Sequence, residues 1–240
     1  ISIGGWRTQI KGVYIDTFGL GGDTRVFMSE RHLRLDSRRV EPICAAAAKW
    51  PKIKDDLKNL LDWVRPHTRQ LHEFLYLMRV PERLDKYTPG EIKLIEQLKD
   101  GPQMIGGGKL DNYGKDSERL ETEGIVMRCG LTPTDIMHIR GDYSVFDSEA
   151  SVLAARCFLR SLLGYEDGDT SMARFCEAVY DMVKRRLFEN IARVFIVSAY
   201  PNACRKGIGE HLELAFAIAD FFDKTIEEIF IYKGGGEDGK

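Results

Sequence analysis

The chain has 240 residues, is 43% hydrophobic, and balances 35 basic against 37 acidic side chains for a net charge of -2. That length admits one large domain or two small ones with a real core, and the near-neutral balance argues against a general nucleic-acid or membrane-surface binder. The five cysteines are odd in number, scattered, and free of Cys-x-x-Cys spacing, which argues against a disulfide framework or zinc cluster and fits a reducing, cytoplasmic setting.

No uninterrupted apolar run reaches membrane-spanning length. The chain starts at Ile1 and passes through Gly4-Gly-Trp-Arg-Thr8 directly into patterned sequence, so a piece of a longer protein is expected. Residues 10 to 40 alternate apolar and polar in short runs, Val13 to Phe18, Arg25 to Met28 and His32 to Leu35, which predicts strands joined by turns. Between two of them lies Gly19-Leu-Gly-Gly-Asp-Thr24. Its three glycines permit positive φ or close backbone approach, and Asp23 and Thr24 add oxygens for a cation or for hydrogen bonds. A tight turn between strands is the simpler reading of such a loop, and phosphate handling the functional one.

Pro42 and Ala45 to Ala48 open a helical stretch that Pro51 interrupts before Ile53 to Val64 resumes it. His67 to Val80 places Leu71, Phe74, Leu75 and Met78 at helical spacing and predicts a helix stopped by Pro81. Residues 88–130 read as an insertion. Thr88 and Glu91 have capping-box spacing before a helix to Leu98, a second helix runs from Asp116 to Glu123, and Gly124 to Cys129 is a strand. This order resembles a small winged-helix unit, but its second helix carries Glu118, Glu121 and Glu123 where a recognition helix should be basic, so nucleic acid is not the expected partner. Gly106 to Gly108 with Lys109 lacks the Gly-Lys-Ser/Thr of a phosphate loop and reads as a flexible tip.

Thr132 or Thr134 can cap a short helix with Asp135 in its first turn. Helices are expected over Asp147 to Leu163, over Thr170 to about Val197 with Phe175, Val179, Met182, Val183, Leu187 and Ile191 inward, and over Leu212 to Phe222. Val194 to Val197 reads equally as a buried strand.

The five histidines stand singly; His67 and His72 miss the i, i+4 spacing of a helical metal site, and His138 is a catalytic candidate or a satisfied structural residue. Cys129 beside Arg128 is a thiolate candidate or a packed strand residue. Ser198 has no Gly-x-Ser-x-Gly elbow. Asp23 and Asp135 remain, each after a turn with threonine nearby, a chemistry suited to Mg²⁺ and phosphate oxygens.

Gly4-Gly-Trp-Arg-Thr8, Gly19 to Thr24, and Leu131-Thr-Pro-Thr-Asp135 with His138 and Gly141 together resemble the hydantoinase/oxoprolinase family, in particular its A-type, ATP-dependent subunits. The resemblance implies an α/β fold, part of an actin-like ATPase (ribonuclease H-like) module over residues 1–87 and 131–240, β-rich at first and then mostly helical, with the winged-helix-like insertion at 88–130. It implies a fragment, inactive alone, of an enzyme that opens a cyclic amide such as a hydantoin or 5-oxoproline, or carboxylates a ketone, with ATP and Mg²⁺ bound in the full-length protein and a B-type subunit as a further partner. Asp23 and Asp135 would be catalytic, with Asp23 on the metal, while Gly19, Gly21, Gly22, Thr24 and Thr134 would line the nucleotide. Two features depart from the family. Its Asp-x-Gly-Gly-Thr loops are missing, and Val197-Ser-Ala-Tyr-Pro201 matches its Gly-x-Gly-Ala-Pro turn poorly. The alternative from another class is a noncatalytic partner- or nucleic-acid-binding module that uses the winged-helix-like residues 88–130 as its contact surface.

Overall fold

The computed structural model describes residues 2–3, 6–7, 20–29, 32–62, 71–105, 114–160 and 169–199. The predicted strand at Val13 to Phe18, the predicted helix at Leu212 to Phe222, and Gly19, His67 and Gly106 to Gly108 lie outside the described residues. The chain divides into two units, Gly19–Arg185 and a second made of Ile1–Phe18 with Arg186–Lys240. In the second, β1 (Ser2–Ile3) and β2 (Trp6–Arg7) pair antiparallel, with Ser2 opposite Arg7.

In the unit Gly19–Arg185, β3 (Thr24–Ser29) pairs antiparallel with β4 (His32–Arg39), with a bulge between Thr24 and Val26. Val40 then leads into β5 (Glu41–Pro42), and α1 (Ile43–Lys49) follows directly. Pro51 cannot donate the hydrogen bond that would continue α1, and its ring forces Trp50 out of helical geometry, so the chain breaks before α2 (Lys52–Leu61). Ile53, Leu57 and Leu60 form the buried face of α2.

The helix expected over His67 to Val80 is corrected by the structure. Phe74–Leu77 is a strand, β6, and Leu71 and His72 lie in the turn before it. Phe74, Leu75 and Tyr76 are consecutive yet all buried, a pattern that a strand covered on both faces produces and that coincides with helical spacing over so short a run.

Past β6, α3 (Pro89–Leu98) starts from the predicted capping box: Glu91 N–H donates to Thr88 Oγ1, and Thr88 N–H to Glu91 Oε2. β7 (Gln103–Met104), α4 (Gly114–Thr122) and β8 (Val126–Gly130) follow. Both strands of this stretch pair with β6, which precedes it, in a sheet ordered β5-β8-β6-β7. β5 and β8 are parallel and the other neighbours antiparallel. The fold is therefore mixed α/β, with helices on both sheet faces.

Side-chain alternation sorts the cores. Leu75 and Val126 meet Leu94, Ile95 and Leu98 of α3 and Leu120 of α4 on one face. Phe74, Tyr76 and Cys129 point to the other, where α1 and α2 are joined by α5 (Pro133–Arg140), α6 (Glu149–Phe158) and the start of α7 (Asp169–Ala199). α7 matches the predicted long helix, and its backbone stays helical through Val194 to Val197. Its buried stripe is shorter than expected: Phe175 and Val179 are buried, but Leu187 and Ile191 are exposed. Among the described residues no helix is long and apolar enough to cross a membrane.

Candidate functional site

The glycine-rich loop and the Thr-Pro-Thr-Asp segment, far apart in sequence, meet in the structure. Gly21 to Thr24 closes a β-turn, with Thr24 N–H donating to Gly21 O at 3.1 Å and Gly21 N–H to Thr24 Oγ1 at 2.8 Å. Thr134 N–H donates to Gly22 O at 3.1 Å, and Val26 N–H to Leu131 O at 2.8 Å, so the loop and β3 are tied to the entry of α5.

Neither Gly21 nor Gly22 has positive φ, so that part of the sequence reading is corrected. What glycine supplies is room. A Cβ on Gly22 would sit 2.5 Å from Thr134 Oγ1, and one on Gly21 2.7 Å from Asp23 Oδ1. Thr24 is buried, with its hydroxyl spent on the turn, and faces the protein. Gly22 stands exposed at the tip, where its backbone is the surface a ligand meets.

Asp23 carries one ion pair at the rim of the turn. Its Oδ2 is 2.6 Å from Arg39 Nε, and among the described residues no three His, Cys, Asp or Glu side chains converge on a metal site. The donor set present thus fits one wall of an anion site and not a self-sufficient Mg²⁺ site.

Asp135 is fully buried. Its carboxylate takes five hydrogen bonds: from Ile43 N–H, Thr132 N–H and Thr132 Oγ1 on Oδ2, and from Cys44 N–H and Ser151 Oγ on Oδ1. These donors come from the first turns of α1 and α6 and the cap of α5, so one carboxylate fastens three helix starts, where helix dipoles also favour negative charge. A carboxylate so saturated has no lone pair left for metal or substrate, which makes Asp135 a positioning group.

His138, one turn further along α5, is equally committed. Its Nδ1 lies 2.8 Å from Thr134 O, and Phe146 N–H donates to its Nε2 at 3.0 Å. A carbonyl only accepts and an amide N–H only donates, so the tautomer with its proton on Nδ1 satisfies both contacts. Both nitrogens serve structure, including the backbone of the threonine that braces the loop.

An ion-pair chain that sequence reading did not find links the loop to the sheet. Arg25, next to Thr24, grips Glu73 through Nε at 2.6 Å and Nη2 at 2.9 Å. Arg128 Nη1 reaches the same carboxylate at 3.0 Å and holds Glu121 through Nη2 at 2.9 Å. The Glu73 side chain is only 2% exposed. Burial alone would raise its carboxyl, but the charge and hydrogen bonds of Arg25, with Arg128, outweigh that and hold it below the usual range. Residues this far apart leave no local signal in the sequence.

The thiolate reading of Cys129 is not supported. Complete burial, reinforced by the nearby Asp135 charge, pushes its thiol far above the usual range, and Arg128 is engaged elsewhere. Cys44 behaves alike, raised by burial and by Asp135.

Together these features define a mixed α/β protein in which a braced glycine turn opens to solvent beside an arginine-rich edge. Compared with protein-family models, with curated proteins and with solved structures, the chain matches none.

Proposed function

We propose that this chain is part of an ATP-dependent enzyme of the hydantoinase/oxoprolinase type, built on an actin-like ATPase module, in which Gly21 and Gly22 with Thr134 form one wall of the phosphate site. The observation that carries the reading is the Thr134 N–H bond to Gly22 O. Two of the three segments on which the family resemblance rests, Gly19 to Thr24 and Leu131 to Asp135, come into backbone contact, and a Cβ on Gly22 would press on Thr134 Oγ1.

A bound ATP supplies the phosphoryl group that turns an amide oxygen into a leaving group. The task of this chain's residues is positional. The Gly22 backbone presents a surface without a side chain, to which phosphate oxygens approach closely. Thr24 and Thr134 hold that surface, and Asp135 holds Thr132 and hence Thr134. Asp23 retains Arg39 at the rim, a guanidinium suited to phosphate or carboxylate. The substrate in this reading is a cyclic amide or a ketone.

The test is ATP hydrolysis by the full-length protein with a hydantoin or 5-oxoproline present, with Gly22 intact and in Gly22→Ala. Loss of turnover in Gly22→Ala with the melting transition retained supports the reading. Undiminished turnover in that variant, or no saturable Mg-ATP binding by the folded full-length protein, refutes it.

A further inference from the structure

A cleft of about 440 Å³ opens where the end of β4 faces α4 and β8, with Arg38, Arg39, Glu118, Glu121, Thr122 and Arg128 in its walls. Its volume is within the roughly 300–1,000 Å³ usual for small-molecule sites. The charges in it are not equivalent. Arg128 forms an immobile part of the wall: its side chain is 15% exposed, and it spends Nη1 on Glu73 and Nη2 and Nε on Glu121. One hydrogen on each terminal nitrogen is outside those bonds. Arg38 and Arg39 form the rim, 59% and 80% exposed, each paired through Nε, to Asp36 and Asp23 respectively. Across from them Glu118 has no ion-pair partner among the described residues, whereas Glu121 is held by Arg128.

Exposed guanidiniums reorient at little cost, because their ion pairs are solvent-screened. An oxyanion entering the cleft meets one fixed fork and two adjustable ones. Glu118 makes the opposite demand, for a donor. A nucleic-acid backbone satisfies the arginines but brings its charge against Glu118 and Glu121; a simple cation meets three guanidiniums. A compact molecule with one acidic and one donor end satisfies both walls.

We propose that this cleft binds a small organic acid that also carries an ammonium or N–H group, its oxyanion held by Arg38, Arg39 and Arg128 and its donor by Glu118. The inference stands on the cleft alone and does not depend on the nucleotide reading.

Calorimetry or NMR titration of the full chain tests it with three kinds of probe: the ω-amino acid series from glycine to 6-aminohexanoate, glutarate, and inorganic phosphate. At least one ω-amino acid binds saturably. Arg39→Gln weakens it roughly tenfold, as expected for a lost charge-assisted hydrogen bond, and Arg38→Gln weakens it in the same direction. Glu118→Gln weakens the ω-amino acid by a similar factor but leaves glutarate unchanged or tighter, a crossover that general destabilisation does not produce. All three positions are at the surface, so unchanged melting is the folding control. Binding of phosphate or glutarate without any ω-amino acid overturns the proposal, as does an ω-amino acid affinity that stays within about twofold in both Arg39→Gln and Glu118→Gln.

Discussion

Asp135→Asn separates an organising carboxylate from a reacting one. In the wild type Oδ2 accepts from Ile43 N–H, Thr132 N–H and Thr132 Oγ1, and Oδ1 from Cys44 N–H and Ser151 Oγ. The best orientation of an asparagine keeps its carbonyl oxygen at the Oδ2 position. Its NH₂ then faces Cys44 N–H, donor against donor, while the Ser151 hydroxyl can rotate to accept. One buried backbone donor is stranded, at about 1–3 kcal/mol, and the three donors on the retained oxygen lose their charge assistance, so the loss totals about 3 kcal/mol. In a domain of this size that lowers the melting temperature by about 6–12 °C. Asp135→Ala strands every one of these donors and costs more. Thermal unfolding by circular dichroism or calorimetry measures the effect. A variant that melts within about 2 °C of the wild type while losing all ATP-dependent turnover refutes the positioning role and returns Asp135 to the chemistry.

Three further perturbations probe other parts of the same framework. Glu73→Gln leaves two guanidiniums without their shared anion and lowers stability at neutral pH by about 3–5 kcal/mol. Because the folded carboxyl of Glu73 lies below its ordinary value of 4.5, its stabilisation is complete above about pH 4.5 and is lost as pH falls through the folded value. Urea midpoints therefore fall less steeply with acid in Glu73→Gln than in the wild type, and parallel profiles contradict the assignment. Gly22→Ala costs about 1–3 kcal/mol, because its Cβ would meet Thr134 Oγ1 at 2.5 Å. Adding Thr134→Ala recovers at least about 0.5 kcal/mol in a double-mutant cycle, and strict additivity shows that the two residues do not press on each other. Cys44, Cys129, Cys157 and Cys176 are all buried, and burial raises the Cys176 thiol to about 11, so the native protein leaves them unalkylated at neutral pH. Peptide mapping after a pulse of iodoacetamide reads this directly, and rapid labelling of Cys44 or Cys129 contradicts it.

Features that depend on neighbours in sequence were legible. The box of Thr88 and Glu91 and the cap before Asp135 require side chains three residues apart to reach each other's backbone, so spacing reveals them. The meeting of Gly22 with Thr134 was expected only through the family resemblance, since nothing local connects them. β6 was misread because a strand buried on both faces loses its alternation, and Leu71, Phe74, Leu75 and Met78 imitate a helix face. The role of Asp135 is hidden from sequence for a related reason. The carboxylate carries the same sequence signal whether it faces a ligand or the starts of α1 and α6, and only the fold brings Ile43, Cys44 and Ser151 to it.

The glycine turn is held by more bonds than a connector between strands requires. Asp23 O accepts from Val40 N–H at 2.9 Å, Gly22 O from Thr134 N–H, and Gly21 O from Thr24 N–H. Arg25, the residue after the turn, is locked to the buried Glu73 at the sheet. An ordinary surface turn tolerates insertion and motion, whereas this one is anchored at α5, after β4 and at the sheet. Such bracing lowers the ordering cost a ligand meets on arrival, which favours a turn that binds over one that merely joins. Asp23 and Arg39 are the part of this assembly least confined by packing, with side chains 31% and 80% exposed. Arg39 belongs to both features: it pairs with Asp23 beside the turn and stands in the wall of the charged cleft.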